Sequence, residues 1–356
     1  VKLLMVARRY PPDVRSGTET VFANLYRLAR ERHEVRLVVG YRNSRDQVPP
    51  EAVAVDLRGR GKAEQWARIY VAARREARRF RPDACLANSI EAPALGCGTA
   101  VIVHDLNFGS SGRSVGTIVR ERFYKTRARQ VSAVITVTEA ARRALIRASM
   151  PEDRVHVIHN GVDLDTFSPG TPTRPPDDQT VHFAYPSRIL QGKGQHLAID
   201  AVARLPKLHK RRARLAIVGA VADSIFLDQL RIQAYEQPVD FHTDVPSIAP
   251  YYQDADVVLF PTLMTEGFGY TAVEAMACGK PVIWSEQPAI REATGGIGLA
   301  VDQGDVDAMR DHMKALMDDP SLRARIGREG RAFVEERYGW ARVWGRYEAL
   351  LEGMRV

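Results

Sequence analysis

The sequence predicts an α/β protein of two doubly wound domains facing each other across a central cleft. Three observations carry that expectation. The 356 residues exceed what one hydrophobic core usually serves. Short β-branched runs alternate with helical stretches from end to end, as βαβ units in a parallel sheet require. The alternation lapses once, at "TPTRPPDDQT" (171–180), where prolines replace apolar periodicity, and then restarts. The expected domains are 1–165 together with 340–356, and 175–339.

The elements follow in order. "KLLMV" is the first strand and a helix begins near Glu19; "EVRLVVG", "AVAVDL", "ACLANS", "AVIVHD" and "AVITVT" are further strands of the first domain. After the break come "VHFAYPS", "RLAIVGA", "VDFHTD", "ADVVLFPT", "PVIWS" and "IGLAVD". The final helix, "GWARVWGRYEALLEGM", spaces Trp340, Val343, Trp344, Tyr347 and Leu350 by three and four, a face to bury back on the first domain.

Composition excludes several classes. The apolar share of 45% is that of a globular protein, and no run reaches the roughly 18 apolar residues of a membrane span. The opening "VKLLMVARRYPP" has too short an apolar stretch for a signal peptide, so a cytoplasmic location is expected. Cys85, Cys97 and Cys278 lack metal-site spacing and read as free thiols. The net charge of +8 is uneven: 29 Lys and Arg face 18 Asp and Glu through Asp165, against 22 and 25 beyond it. The excess concentrates in "RIYVAARREARRF" (68–80) and "RSVGTIVRERFYKTRARQ" (113–130). Each is either a solvated helix face or a surface for an anionic membrane or acidic substrate.

Two carboxylates stand out in "TEGFGYTAVEAMACGKPVI" (265–283). The loop around Glu266 follows the strand "ADVVLFPT", so it lies at a strand's carboxyl end, where open α/β sheets bind ligands. Gly267 and Gly269 permit close backbone approach, and the next helix's N-terminus favours an anion such as a diphosphate. Carboxylates there accept hydrogen bonds from hydroxyls, so Glu266 and Glu274 together suit a sugar nucleotide. The competing reading is a capping box, because Thr271 to Glu274 spells T-x-x-E.

The stretch "EGFGYTAVEAMACGKPVI" resembles the E-x7-E signature of the retaining glycosyltransferases of family 4. That family has two facing Rossmann-like domains, the GT-B architecture. Four further segments resemble the same family in the same order: "YPPDVRSGTE", "VIHNGVDLDTFSP", "SRILQGKG" and "YGWARVWGRYEALLE". The resemblance implies that Glu266 contacts donor-sugar hydroxyls and Glu274 the ribose, with Gly267, Phe268, Gly269, Tyr270 and Thr271 forming the rest of the donor loop. It implies that Arg188 and Lys193 clamp the diphosphate, and their cationic loop with Gly192 and Gly194 suits that task on its own chemistry. In the first domain it implies a phosphate or acceptor contact at Gly17 and a histidine, His104, beside the reacting sugar. Ser16 stands where the family usually has the first of two glycines. Asp105, Asn160 and Gly219 complete the candidate set, Asn160 as a hinge residue with a weak contact.

The implied reaction moves a sugar from a nucleotide-diphosphate donor to an acceptor hydroxyl with retention. A phosphate oxygen takes the acceptor's proton, and no cofactor or metal is expected. The pairs Asp163/Asp165 and Asp254/Asp256 are read as chance. A dehydrogenase would need G-x-G-x-x-G after the first strand, which "ARRYPPDVRSGTET" does not supply. A sugar-nucleotide epimerase of the same architecture is the alternative. A nucleic-acid-binding protein ranks lower, because the basic half lacks interleaved aromatics. The basic first domain suits an anionic or lipid-linked acceptor, with docking on the inner face of a membrane; a soluble acceptor, such as a small metabolite or growing polysaccharide, is the other reading.

Overall fold

The computed structural model describes every residue except 12–16, 90–94, 105–125, 128, 172–178 and 355–356. It contains two compact units, Val1–Gly161 with Trp340–Val356, and Val162–Gly339. Residues 172–178 of the expected linker, and most of the second basic segment, 113–130, lie outside the described residues.

The first unit is built on a seven-stranded parallel sheet ordered β3-β2-β1-β4-β5-β6-β7. Its strands are β1 Lys2–Ala7, β2 Glu34–Tyr41, β3 Val53–Asp56, β4 Ala84–Ala87, β5 Gly98–Val103, β6 Ala133–Thr136 and β7 Val155–Val157. The described helices between them are α1 Gly17–Arg32, α2 Lys62–Phe80 and α3 Glu139–Arg147. Leu3 to Ala7, Ala84 to Ala87 and Ala100 to Val103 are all buried, as strands covered on both faces must be. The strand order reverses between β1 and β4, which pair from Leu3↔Ala84 to Val6↔Ala87. The carboxyl ends of these two strands therefore mark the topological switch point. β7 has no counterpart in the expected strands. Three residues containing His156 are too short for a periodic signal, and its pairing with β6 defines it.

The second unit carries a six-stranded parallel sheet ordered β10-β9-β8-β11-β12-β13, with its reversal between β8 and β11. These strands are β8 Val181–Pro186, β9 Ala213–Gly219, β10 Val239–Thr243, β11 Val257–Phe260, β12 Val282–Ser285 and β13 Leu299–Val301. Its helices are α4 Gln195–Ala203, α5 Lys207–Arg211, α6 Ser224–Gln233, α7 Ala249–Asp254, α8 Tyr270–Ala277, α9 Pro288–Thr294, α10 Val306–Asp318 and α11 Pro320–Tyr338. Phe183, Tyr185, Tyr252, Phe260 and Trp284 fill its core.

The terminal helix α12, Trp340–Gly353, belongs to the first unit and packs against α1 and β4. Val343, Trp344 and Tyr347 are buried as the periodicity predicts, while Leu351 rather than Leu350 completes the buried set. Glu348 also bonds His33 Nε2 of the first unit at 2.8 Å. Gly161 lies against the indole of Trp340, where any β-carbon would run into the ring. No described helix is long and apolar enough to cross a membrane. Cys85, Cys97 and Cys278 are free thiols.

Candidate functional site

In the second unit, the loops after β8 and β11 are stitched together. Gly192 O accepts from the amides of Leu263 and Met264, each at 3.0 Å. The first loop, Ser187 to Gly194, is fixed from within by buried side chains: Gln195 Nε2 donates to Arg188 O at 2.8 Å, and the Tyr185 hydroxyl donates to Lys193 O. Gly194 closes it at φ 81°, where a β-carbon would collide with the Pro261 carbonyl, so only glycine fits before α4 begins.

This stitching brings Lys193 to Glu266. Lys193 Nζ lies 2.6 Å from Glu266 Oε1, with both side chains largely buried. The Thr262 hydroxyl donates to the same oxygen at 3.0 Å. Gln287 holds the loop's backbone from below: its Oε1 accepts from Glu266 N at 3.0 Å, and its Nε2 donates to Met264 O at 2.9 Å. Lys193 and Glu266, assigned separately to diphosphate and sugar, thus neutralise each other in this structure. Arg188 is exposed and has no acidic partner among the described residues.

Glu274 occupies the middle of α8. The capping reading fails on geometry, because the helix starts at Tyr270 with Gly269 as its N-cap. Thr271 is already inside the helix, and its hydroxyl donates to Pro186 O at 3.1 Å, tying α8 to the end of β8. The Glu274 carboxylate instead accepts the Tyr252 hydroxyl at 2.7 Å. Burial pushes its pKa up to about 7, an effect the Tyr252 hydrogen bond partly offsets.

The remaining residues of this loop and the other candidates of the second unit divide by what they touch. Phe268 turns inward, its ring edge-on to Tyr270 and Tyr338 at 5.4 and 5.3 Å, so it anchors the loop in the core. Gly267 and Tyr270 stay partly exposed. Gly219 ends β9 against the Ser187 carbonyl. Asp163 accepts from the amides of Asp165 and Thr166 in its own turn, and Asp256 accepts from His182 N before β11 begins. Both aspartate pairs thus contribute to local structure.

In the first unit, Gly17 opens α1 after β1, and His104 follows β5. Asn88, the residue after β4, joins these two places. Its Nδ2 donates to Thr18 O at 3.4 Å, and its Oδ1 lies 2.8 Å from His104 Nε2. Burial lowers the His104 pKa to about 4, against the opposing pull of Glu19. Asn160 is buried, and its Oδ1 has no hydrogen-bond partner among the described residues. Ser16 and Asp105 lie outside the described residues.

Sequence reading missed Gln287, Gln195, Tyr185, Tyr252 and Asn88. None belongs to the quoted motifs. Their roles arise from contacts across 7 to 70 residues, with no local spacing signal.

Comparison with known proteins agrees with this geometry. The family model described as Glycosyltransferase Family 4 matches residues 15–166, and that described as Glycosyl transferases group 1 matches residues 173–333. The D-inositol 3-phosphate glycosyltransferase of Pseudarthrobacter chlorophenolicus is 32% identical over 207 residues, 54% of this chain and 48% of that protein. A GDP-mannose-dependent monoacylated alpha-(1-6)-phosphatidylinositol monomannoside mannosyltransferase of Corynebacterium glutamicum is 32% identical over 214 residues, 55% of each chain. The chain spans about half the length of these curated relatives. The crystal structure of Anabaena HepE in complex with UDP and glucose shares the fold with a TM-score of 0.78 at 20% identity, covering 99% of each chain. With both halves matched and a parallel α/β sheet in each unit, the chain belongs to the group 1 glycosyl transferases of GT-B architecture.

Proposed function

We propose that this protein is a retaining glycosyltransferase that moves a sugar from a nucleoside-diphosphate donor to an acceptor hydroxyl. The observation that carries the reading is the stitching of the Arg188–Gly194 loop to the Glu266 loop at the switch point of the second sheet. It gathers two cations, two carboxylates and a helix N-terminus at one edge, the groups that a sugar joined to a diphosphate calls for.

In this mechanism the sugar–phosphate bond breaks as negative charge builds on the departing diphosphate. Arg188, Lys193 and the N-terminus of α8 stabilise that charge. Glu266 accepts hydrogen bonds from sugar hydroxyls and Glu274 from the ribose. The incoming hydroxyl attacks the face the diphosphate leaves, and a phosphate oxygen takes its proton, which retains the anomeric configuration. Donor binding must first separate Lys193 from Glu266 or bridge them, so the ion pair presets both side chains. The reading assigns no step to a metal.

An anionic or lipid-linked acceptor fits the first unit. Val71, Arg74, Arg75, Arg78 and Arg79 share one exposed face of α2, and the four arginines have no acidic partner among the described residues. Each such cation near an anionic bilayer contributes about 1 kcal/mol. Flotation with phosphatidylserine-containing vesicles at low salt checks this part, and equal recovery with neutral vesicles would refute it.

The test of the whole reading is a thermal-shift panel of UDP, GDP, ADP and dTDP sugars with NADH as control. A nucleotide at 100 times its Kd adds about 2.7 kcal/mol of stability. One nucleotide class should stabilise the protein, and Arg188→Ala and Glu274→Gln should blunt the response. Proton NMR of the transfer product then reads the anomeric configuration. A response to NADH alone, or an inverted product, would overturn the proposal.

A further inference from the structure

Asn88, just past β4, bridges the first turn of α1 and His104. A backbone carbonyl only accepts hydrogen bonds, so Thr18 O requires the amide nitrogen of Asn88 on its side. The amide oxygen must then face His104 Nε2, 2.8 Å away. An amide oxygen also only accepts, so the proton between them belongs to the imidazole. A neutral ring carries one proton, which leaves Nδ1 as a lone pair.

The burial of His104, which lowers its pKa to about 4, keeps the ring neutral across the physiological range. Glu19 of α1 is the charged group acting on His104 among the described residues, and it favours the cation. The Thr18 hydroxyl donates to Glu19 Oε2 at 2.7 Å and so takes up part of that carboxylate's hydrogen-bonding capacity. Asn88 contributes no charge, and thus fixes the tautomer without protonating the ring.

We propose that Asn88 is a positioning residue that locks neutral His104 in its Nε2–H tautomer, so that Nδ1 is presented as the acceptor for a substrate hydroxyl. The role of Nδ1 rests on the transferase reading above; the tautomer does not. The same Asn88 side chain fixes the first turn of α1 through Thr18 O, so the imidazole and the start of that helix share one brace.

The experiment is 15N NMR of histidine-labelled full-length protein, with the His104 signal assigned by its loss in His104→Gln. The expected result is the two-bond correlation pattern of a neutral Nε2–H ring down to pH 5. Asn88→Asp, which places a carboxylate against the ring, should raise the His104 pKa by more than about one unit. A neutral Nδ1–H ring in the wild type, or an unchanged titration in Asn88→Asp, would overturn the proposal. The sugar nucleotide that shifts melting most then serves as the probe of Nδ1. Its slow hydrolysis should fall at least about tenfold in kcat in Asn88→Leu, which cannot accept from Nε2–H and so releases the tautomer, with KM little changed. If the tautomer holds and hydrolysis is unaffected, the acceptor role of Nδ1 is refuted while the positioning of the ring stands. If no nucleotide binds at all, the transferase reading fails and the tautomer result is independent of it.

Discussion

Lys193 Nζ and Glu266 Oε1, 73 residues apart in sequence, lie 2.6 Å from each other at the carboxyl ends of β8 and β11. With both groups largely removed from water, either charge alone is costly, so each holds the other in place before any ligand arrives.

Breaking this pair should cost stability from either side. Lys193→Met and Glu266→Gln are each expected to lose about 2–4 kcal/mol in urea unfolding, and the double variant less than their sum. Strict additivity in the double-mutant cycle would show that the pair contributes nothing.

Glu274 makes stability depend on pH. Its folded pKa of about 7 stands above the ordinary 4.5, so the folded protein holds a proton that the unfolded chain has released. Stability from this group is therefore fully present below about pH 4.5 and is lost as pH rises towards 7. Glu274→Gln should gain on the wild type by an amount on the order of 3 kcal/mol at pH 8 relative to pH 4.5, read as a difference in melting curves. A pH-independent difference would refute the raised pKa.

Donor binding should show the same group with the opposite sense. A ribose hydroxyl needs the carboxylate as acceptor, so nucleotide affinity is expected to rise as pH passes through about 7 in the wild type and to stay flat in Glu274→Gln. Tyr252→Phe removes the hydroxyl that favours the carboxylate, and the midpoint should move to higher pH. Isothermal titration calorimetry from pH 6 to 8.5 reads both.

Gln287 is the brace under the Glu266 loop. Gln287→Leu leaves Glu266 N and Met264 O without their partner, an expected loss of about 2–3 kcal/mol. Hydrogen exchange across residues 262–269 should accelerate more than in the strands. Unchanged exchange there would mean that the loop holds itself.

Gly161→Ala should be destabilising by at least about 1–3 kcal/mol, because the new methyl meets the Trp340 ring. Trp340→Ala in the same chain should recover part of that loss in thermal melts. If it does not, the crowding lies elsewhere.

The sequence by itself determined the α/β class, nearly every strand, and the segments that carry the candidate chemistry. Those features are local: β-branched runs long enough to read, glycines at loop bends, and charged residues just past strand ends. "ADVVLFPT" contains β11 and "EGFGY" the loop after it, whatever the rest of the chain does. Only the tertiary structure decided what each charged group faces. T-x-x-E has the spacing of a capping box, yet the N-cap is Gly269, two residues before Thr271, and Tyr252, 22 positions upstream of Glu274, takes the carboxylate. Lys193 and Glu266 meet because β8 and β11 are neighbours in the sheet although 73 residues separate the two side chains. Asn88 reaches His104 for the same reason across β4 and β5. Hydrogen bonds and ion pairs act over about 3 Å, and sheet order, which sets those distances, is fixed by burying both faces of each strand together.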